Sequence, residues 1–192
     1  MKRRGARSLV CLFFVSLFLV SCLGVSVQMD TPFYVVFDQE GPFDTAVLNG
    51  FRKWEAASEG IILFNVGLEP NPTLKSCTRQ IHVLWVPPGH SVIKDYETKH
   101  PDAGVLAYGH TSCFSKTVYL VTGRGLEEMP ESDLSLIAGH EMGHLLRLGH
   151  HEDLNTGIMS PGFPGLTEVS CLDMEFFCKA HACDPYRFPP CR

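Results

Sequence analysis

Apolar positions along the chain alternate between strand-like runs and helical spacing. The β-branched and aromatic run at 33–37 predicts a first strand. Val47, Phe51 and Trp54 then recur at i, i+4 and i+7, which predicts a helix with one buried face that ends near 58–60. Further strands are predicted at four places, namely 61–66, 81–86, 104–108 and 117–121.

A second helix is predicted shortly after Pro130, with Ser132 as its N-cap. Four apolar residues share one face of this helix and are expected to be buried: Leu134, Ile137, Ala138 and Leu145. A strand, a helix, several strands and a further helix together predict an α/β (α+β) fold. In that fold a twisted, mixed sheet of about five strands packs against helices.

The N-terminal segment has a different pattern from the rest of the chain. Basic residues between Lys2 and Arg7 precede an apolar run at 9–20, which is short for a bilayer span but typical of a secretory signal. We therefore predict a signal peptide at 1–22 and one domain at 23–192. Residues 19–22, Leu-Val-Ser-Cys, are similar to a bacterial lipobox and favour a lipid anchor on Cys22, with plain secretion as the alternative.

Composition limits the class of protein and its partners. A chain of 192 residues with 45% hydrophobic and 19% charged residues is typical of one globular domain. The first 22 residues hold four basic and no acidic residues, so the remainder carries 12 basic and 21 acidic residues. This acidic balance argues against nucleic acid and against anionic lipid as partners.

Cysteine usage agrees with export to an oxidising compartment. Of eight cysteines, two belong to the predicted signal, and the other six are Cys77, Cys113, Cys171, Cys178, Cys183 and Cys191. An even number predicts three disulfides, with the pairing left open. Four of the six lie in the last 22 residues, so we expect a tail that is held by disulfides.

The stretch from His140 to His150 carries the candidate chemistry. His140 and His144 are four residues apart, so on a helix both side chains lie on one face within reach of one ion. Glu141 is placed to reach a water that the metal activates, and it is the predicted general base. A catalytic zinc site needs a third protein ligand beside an open position, and His150 can supply it. The prediction is a Zn²⁺ site of His140, His144 and His150, with Glu141 as the catalytic residue.

This segment resembles the metzincins, and among them the matrixin-like group. The family pattern is H-E-x-x-H-x-x-G-x-x-H, followed by a turn that contains a methionine, and Met159 in 156–161 corresponds to that methionine. Residues 133–138 are also similar to the matrixin segment before the first histidine. The resemblance implies a metzincin-like fold with an active-site helix, a Met-turn and a C-terminal helix. It implies a zinc-dependent endopeptidase that cleaves proteins or peptides, and we expect a monomer.

One residue departs from the family pattern. Arg147 stands where metzincins have a glycine that lets the chain turn towards the third histidine. A left-handed arginine costs about 1 kcal/mol, and Gly149 is the alternative site of the bend. Other candidates for the third ligand are His151, Glu168 and Glu175. Two other functions also stay open: a zinc-bearing but catalytically idle binding module, and a disulfide-rich structural domain.

Overall fold

The structure is a computed structural model that describes most of the chain after the predicted signal. The described residues are 32–38, 41, 43–66, 80–101, 105–111, 116–153, 155–161 and 164–192. The predicted signal, the lipobox with Cys22, and the cysteines Cys77 and Cys113 lie outside these ranges. Among the helices within them, none has the length and apolar character that crossing a membrane requires.

The described strands form one mixed sheet, as predicted. They are β1 (Phe33–Phe37), β2 (Phe64–Val66), β3 (Gln80–Val86), β4 (Ala107–Thr111) and β5 (Lys116–Val121), in the order β2-β1-β3-β5-β4. β1 is parallel to β2 and β3, and β3 is parallel to β5, whereas β4 is antiparallel to β5. β4 is therefore an antiparallel strand at one edge of the sheet.

Two predicted strands differ from the structure by three residues, whereas β3 and β5 each begin one residue before their predicted start. The strand expected at 61–66 begins at Phe64, because the amides of Ile61 and Ile62 are used in the turn that follows the first helix: both donate to Ser58. The strand expected at 104–108 is β4, which begins at Ala107 because its pairing with β5 starts there. The prediction for 33–37 is confirmed.

Four α-helices accompany the sheet in the part of the chain that the structure describes: α1 (Asp44–Ala57), α2 (Ser91–Lys99), α3 (Glu131–Leu145) and α4 (Cys171–His181). α1 and α3 are the two helices predicted from apolar spacing. Pro130, not Ser132, is the N-cap of α3, because its carbonyl accepts the amides of Asp133 and Leu134. Ser132 lies inside the first turn. α2 is not predicted, because Ile93 is its one fully buried residue and gives no periodic pattern.

Close contact between α1 and α3 fixes the position of α3 on the sheet. A side chain at Gly50 would come within 2.3 Å of the carbonyl oxygen of Ser135, so the two helices can approach only because residue 50 is glycine. Beside this contact, buried Trp54 donates its indole N–H to the carbonyl of Gly139 at 2.8 Å. The four residues predicted to line the buried face of α3 all belong to the main core.

The C-terminal segment is held by two disulfides. Cys171 is bonded to Cys191, and Cys178 is bonded to Cys183. The expectation that the cysteine-rich tail is cross-linked is therefore confirmed. α4 begins with a capping box, in which Ser170 and Asp173 bond to each other's backbone amides.

Candidate metal centre

Three histidines converge at the C-terminal half of α3. His140 and His144 lie on the helix and His150 follows it, and their ligand-capable atoms are all within 4.8 Å of one another. The Nε2 atoms of His140 and His150 are 3.1 Å apart. The predicted set of ligands is thus close enough to hold one metal ion.

Backbone carbonyls orient the two helical imidazoles. Nδ1 of His140 donates to the carbonyl of Ile158 at 2.7 Å, and Nδ1 of His144 donates to the carbonyl of Leu148 at 2.9 Å. Since Nδ1 carries the hydrogen in each ring, Nε2 has a free lone pair, which is the arrangement that metal-binding histidines use. Imidazole donors suit zinc, copper, iron and nickel, so the donor set fits a transition-metal ion.

Burial keeps these imidazoles in the form that binds metal. It lowers the pKa of His140 to about 3, together with a smaller effect of the neighbouring His144. Burial is also the main cause that lowers the pKa values of His144 and His150. The three rings are therefore neutral at neutral pH, and no proton has to be displaced before a metal ion can bind.

Arg147 makes the turn that brings His150 to the other two rings. Its φ of 70° lies in the left-handed region, and its amide donates to the carbonyl of His144 at 2.9 Å. The next amide, that of Leu148, bonds to the carbonyl of Gly143 at 3.0 Å. Gly149 has no positive φ, so the alternative in which Gly149 provides the bend is wrong. The arginine itself adopts the conformation that a glycine would adopt at lower cost.

The end of α3 is fixed by two basic side chains. Lys116, buried on β5, donates from Nζ to the carbonyl of Leu145 at 2.6 Å, and Nε2 of His181 donates to the carbonyl of Leu146 at 2.9 Å. Burial, with a smaller effect from Arg147, lowers the pKa of Lys116 to about 8. These bonds satisfy carbonyls that the helix end leaves without internal partners.

Met159 lies directly against α3. The residue is fully buried, and a side chain at Gly143 would come within 2.1 Å of the Met159 sulfur. The carbonyl of the preceding residue, Ile158, is the acceptor for His140. The loop after His150 therefore contacts both the face of α3 that carries the histidines and the side of the helix next to it.

The carboxylate of Glu141 is buried between α3 and β4. Its Oε2 accepts the backbone N–H of Gly109, the central residue of β4. Burial raises the pKa of Glu141 to about 7, although the Gly109 hydrogen bond lowers it. A buried carboxylate with this pKa can both accept and release a proton near neutral pH.

The other candidate ligands are engaged elsewhere. His151 is buried, and its Nε2 donates to Asp173 at 2.6 Å. Glu168 accepts from Lys53 at 2.6 Å, and Glu175 is exposed on α4. His150 is therefore the residue that joins His140 and His144.

Two residues near the site are absent from the sequence prediction. Gly109 could have been found as an isolated glycine within a strand, a sign of close backbone approach. Asp173 could have been found from its spacing of three residues after Ser170, which is typical of a helix N-terminus. Neither signal by itself points to the histidines.

Comparison with protein-family models and with curated proteins finds no match for this chain. What the site can do is therefore inferred from its own side chains. These are three neutral imidazoles, one buried carboxylate with a raised pKa, and a loop that bonds back to the first imidazole.

Proposed function

We propose that this chain is a zinc-dependent endopeptidase of metzincin type, similar to the matrixins, which hydrolyses peptide bonds in protein substrates. The observation that carries the proposal is the convergence of His140, His144 and His150 beside the buried carboxylate of Glu141. Three protein ligands with an open fourth position are typical of catalytic zinc. A neighbouring glutamate that does not bind the metal is typical of a peptidase centre.

His140, His144 and His150 would hold the ion through their Nε2 atoms. When bound, zinc supplies Lewis acidity, which polarises a substrate carbonyl and makes a water molecule more acidic. The protein's own contribution begins with the orientation of the rings by the carbonyls of Ile158 and Leu148. Because these carbonyls fix which ring nitrogen carries hydrogen, the rings need not rearrange when the ion binds.

Glu141 is the proposed general base. Its carboxylate would take a proton from the attacking water and then deliver it to the leaving amine. The pKa of about 7 supports this role, since both protonation states are accessible near neutral pH. The bond from Gly109 holds one carboxylate oxygen on the side of β4, so the orientation of the base is set by the edge strand.

Two further features support the metzincin type. Met159 packs beneath α3 after the third histidine, in the position that the Met-turn methionine has in the family pattern. Arg147 takes the left-handed conformation at the position of the family's glycine, so the arginine is compatible with a turn at this point of the pattern.

Export of the protein is part of the proposal. The two disulfides of the tail are consistent with an oxidising, extracellular compartment. We propose that residues 1–22 direct export, followed by secretion or by lipid anchoring at Cys22, and that the substrates are proteins outside the cytoplasm. Mass spectrometry of the mature N-terminus distinguishes a free terminus from a lipidated Cys22.

The test combines metal analysis with an assay on an unfolded protein substrate. We expect about one zinc per chain and loss of cleavage on chelation. Glu141→Gln should keep the zinc and lower kcat by a factor on the order of 10² to 10⁴. Glu175→Gln is the matched control, because it makes the same change at an exposed position and should be fully active.

The remaining outcomes separate the alternatives. Zinc binding without cleavage by wild type would favour the zinc-bearing binding module. Absence of zinc from the purified protein, together with stability that a chelator leaves unchanged, would overturn the proposal in favour of a structural domain. Full activity of Glu141→Gln would remove Glu141 from its assigned role.

A further inference from the structure

Asp173 accepts several hydrogen bonds from the loop that follows the third histidine, His150. This loop returns to the first histidine, His140, through the carbonyl of Ile158. Asp173 lies in the first turn of α4, and its side chain is fully buried. Oδ1 accepts from Nε2 of His151 at 2.6 Å and from the amide of Met159 at 3.0 Å. Oδ2 accepts from the amide of Ile158 at 3.0 Å and from the amide and hydroxyl of Ser170 at 2.6 and 2.8 Å. Five donors on one buried carboxylate fix its position.

These bonds reach both ends of the loop. His151 directly follows His150 in the chain, so the bond to Asp173 restrains the backbone next to the third imidazole. Ile158 donates its amide to Asp173 and accepts Nδ1 of His140 with its carbonyl, so the same peptide segment restrains the first imidazole. The amide of His151 also bonds to the carbonyl of Met159 at 2.9 Å, which closes the loop.

The ring of His151 is itself specifically held. Phe176 of α4 packs edge-on against it, with ring centroids 5.0 Å apart. Nδ1 of His151 is buried and has no hydrogen-bond partner among the described residues, so Asp173 is the one hydrogen-bond acceptor that orients the ring there. A histidine that served only to fill space would not need this bond.

We propose that Asp173, acting through His151, is the positioning residue that sets the separation of His140 and His150 for metal binding. The inference rests on the proposed function, since it concerns the same metal site. Asp173 touches neither the histidine cluster nor a reacting atom; it acts through the loop. Groups that orient ligands in this way typically change metal affinity by 10- to 100-fold when they are removed.

The test measures zinc affinity of the full chain by competition with a chromogenic chelator, together with melting temperature. His151→Leu removes the donor and should weaken zinc binding about 10- to 100-fold. His151→Gln places an amide donor near the position of Nε2 and should stay within about 3-fold of wild type. The visible absorption of the Co²⁺-substituted protein should change in His151→Leu and in Asp173→Asn but not in His151→Gln.

Ile93→Ala is the structural control, because it opens a cavity in the small core cluster beside α2 and removes none of the donors to Asp173. It should lower the melting temperature without changing zinc affinity or the Co²⁺ spectrum. If Ile93→Ala loses as much affinity as His151→Leu, or if His151→Leu binds zinc as wild type does, the positioning role is overturned. Wild type that binds no zinc overturns the proposed function itself, so the two failures are distinguishable. The two His151 variants keep the test valid should Asp173→Asn not fold.

Discussion

The backbone N–H of Gly109 donates to the carboxylate of Glu141, and β4 and α3 are in contact at this point. A side chain at Gly109 would come within 2.7 Å of the Glu141 carbonyl oxygen and 3.0 Å of its Oε2. Glycine is therefore required at residue 109 for the strand to approach the helix this closely. The edge strand and the proposed base form one structural unit.

Gly109→Ala should reduce catalysis without removing the metal. The added methyl group pushes β4 away from Glu141, and a displacement of about 1 Å in a catalytic group can lower the rate about 100-fold. We expect kcat to fall by that order while zinc content stays unchanged, measured by steady-state assay and metal analysis. Gly89→Ala is the control, because its nearest neighbour would be Lys94 at an ordinary 3.7 Å. Unchanged kcat in Gly109→Ala would show that the contact does not position the base.

Substitutions at Arg147 can measure how much free energy its left-handed backbone conformation costs. Arg147→Ala and Arg147→Gly both remove the positive charge, which lies close enough to Lys116 and His181 to lower their pKa values. Only the glycine relieves the φ of 70°. Urea unfolding should therefore find Arg147→Gly more stable than Arg147→Ala by about 1 kcal/mol. Equal stabilities would mean that the turn stores no strain at this residue.

Segments with a strong local pattern are predictable from the sequence, and segments held by tertiary contacts are not. The bounds of the first strand follow from residues 33–37, because these form an uninterrupted β-branched and aromatic run. The sequence does not predict α2, because most of its residues are polar and Ile93 is its one fully buried residue. It predicts β4 three residues too early, because Gly109 and its neighbours are held by pairing with β5 and by α3, neither of which leaves an apolar pattern.

The site shows the same difference between local sequence patterns and tertiary contacts. Helical spacing alone predicts that His140 and His144 lie together, and the need of catalytic zinc for a third protein ligand adds His150. The bonds that orient these rings come from Ile158, Leu148 and Asp173, which are brought near them by the turn and by α4. Such contacts arise from tertiary structure, so periodicity in the sequence could not predict them.

Because Lys116 is buried, we expect the free energy of unfolding to rise with pH in mild alkali. Burial lowers its pKa in the folded protein from the ordinary 10.5 to about 8, so between these values the unfolded chain binds more protons than the folded one. The free energy of unfolding therefore increases with pH across this window, by roughly 2 kcal/mol between pH 7 and pH 9.5 for this group. Below about pH 8 the buried ammonium group carries its full desolvation cost.

The measurement compares wild type with Lys116→Met by urea unfolding at several pH values. Subtracting the variant's curve removes the contribution of the titrating groups that do not interact with Lys116, and the difference should show the rise. Lys53→Met is a suitable control, because that side chain is partly exposed and its amine is in an ion pair with Glu168. A flat difference between pH 7 and pH 9.5 would mean that the bond to the carbonyl of Leu145 stabilises the ammonium form enough to offset its burial.

We expect a third disulfide between Cys77 and Cys113, two cysteines that lie outside the described residues. β3 and β5 are parallel neighbours, with Ile81 opposite Lys116. The first residues of these two strands therefore lie at the same end of the sheet, and in the sequence Cys77 and Cys113 each precede one of them by three positions. The four tail cysteines are already paired with each other.

Peptide mapping of the unreduced protein should recover the Cys77–Cys113 cross-link and find no free thiol in the mature chain. Because this bond would close a long loop, the double variant Cys77→Ser/Cys113→Ser should lose about 4 kcal/mol of unfolding free energy. Removing the Cys178–Cys183 bond, which closes a loop of sequence separation 5, should cost less, about 2 kcal/mol. Two free thiols in the native protein would contradict the pairing.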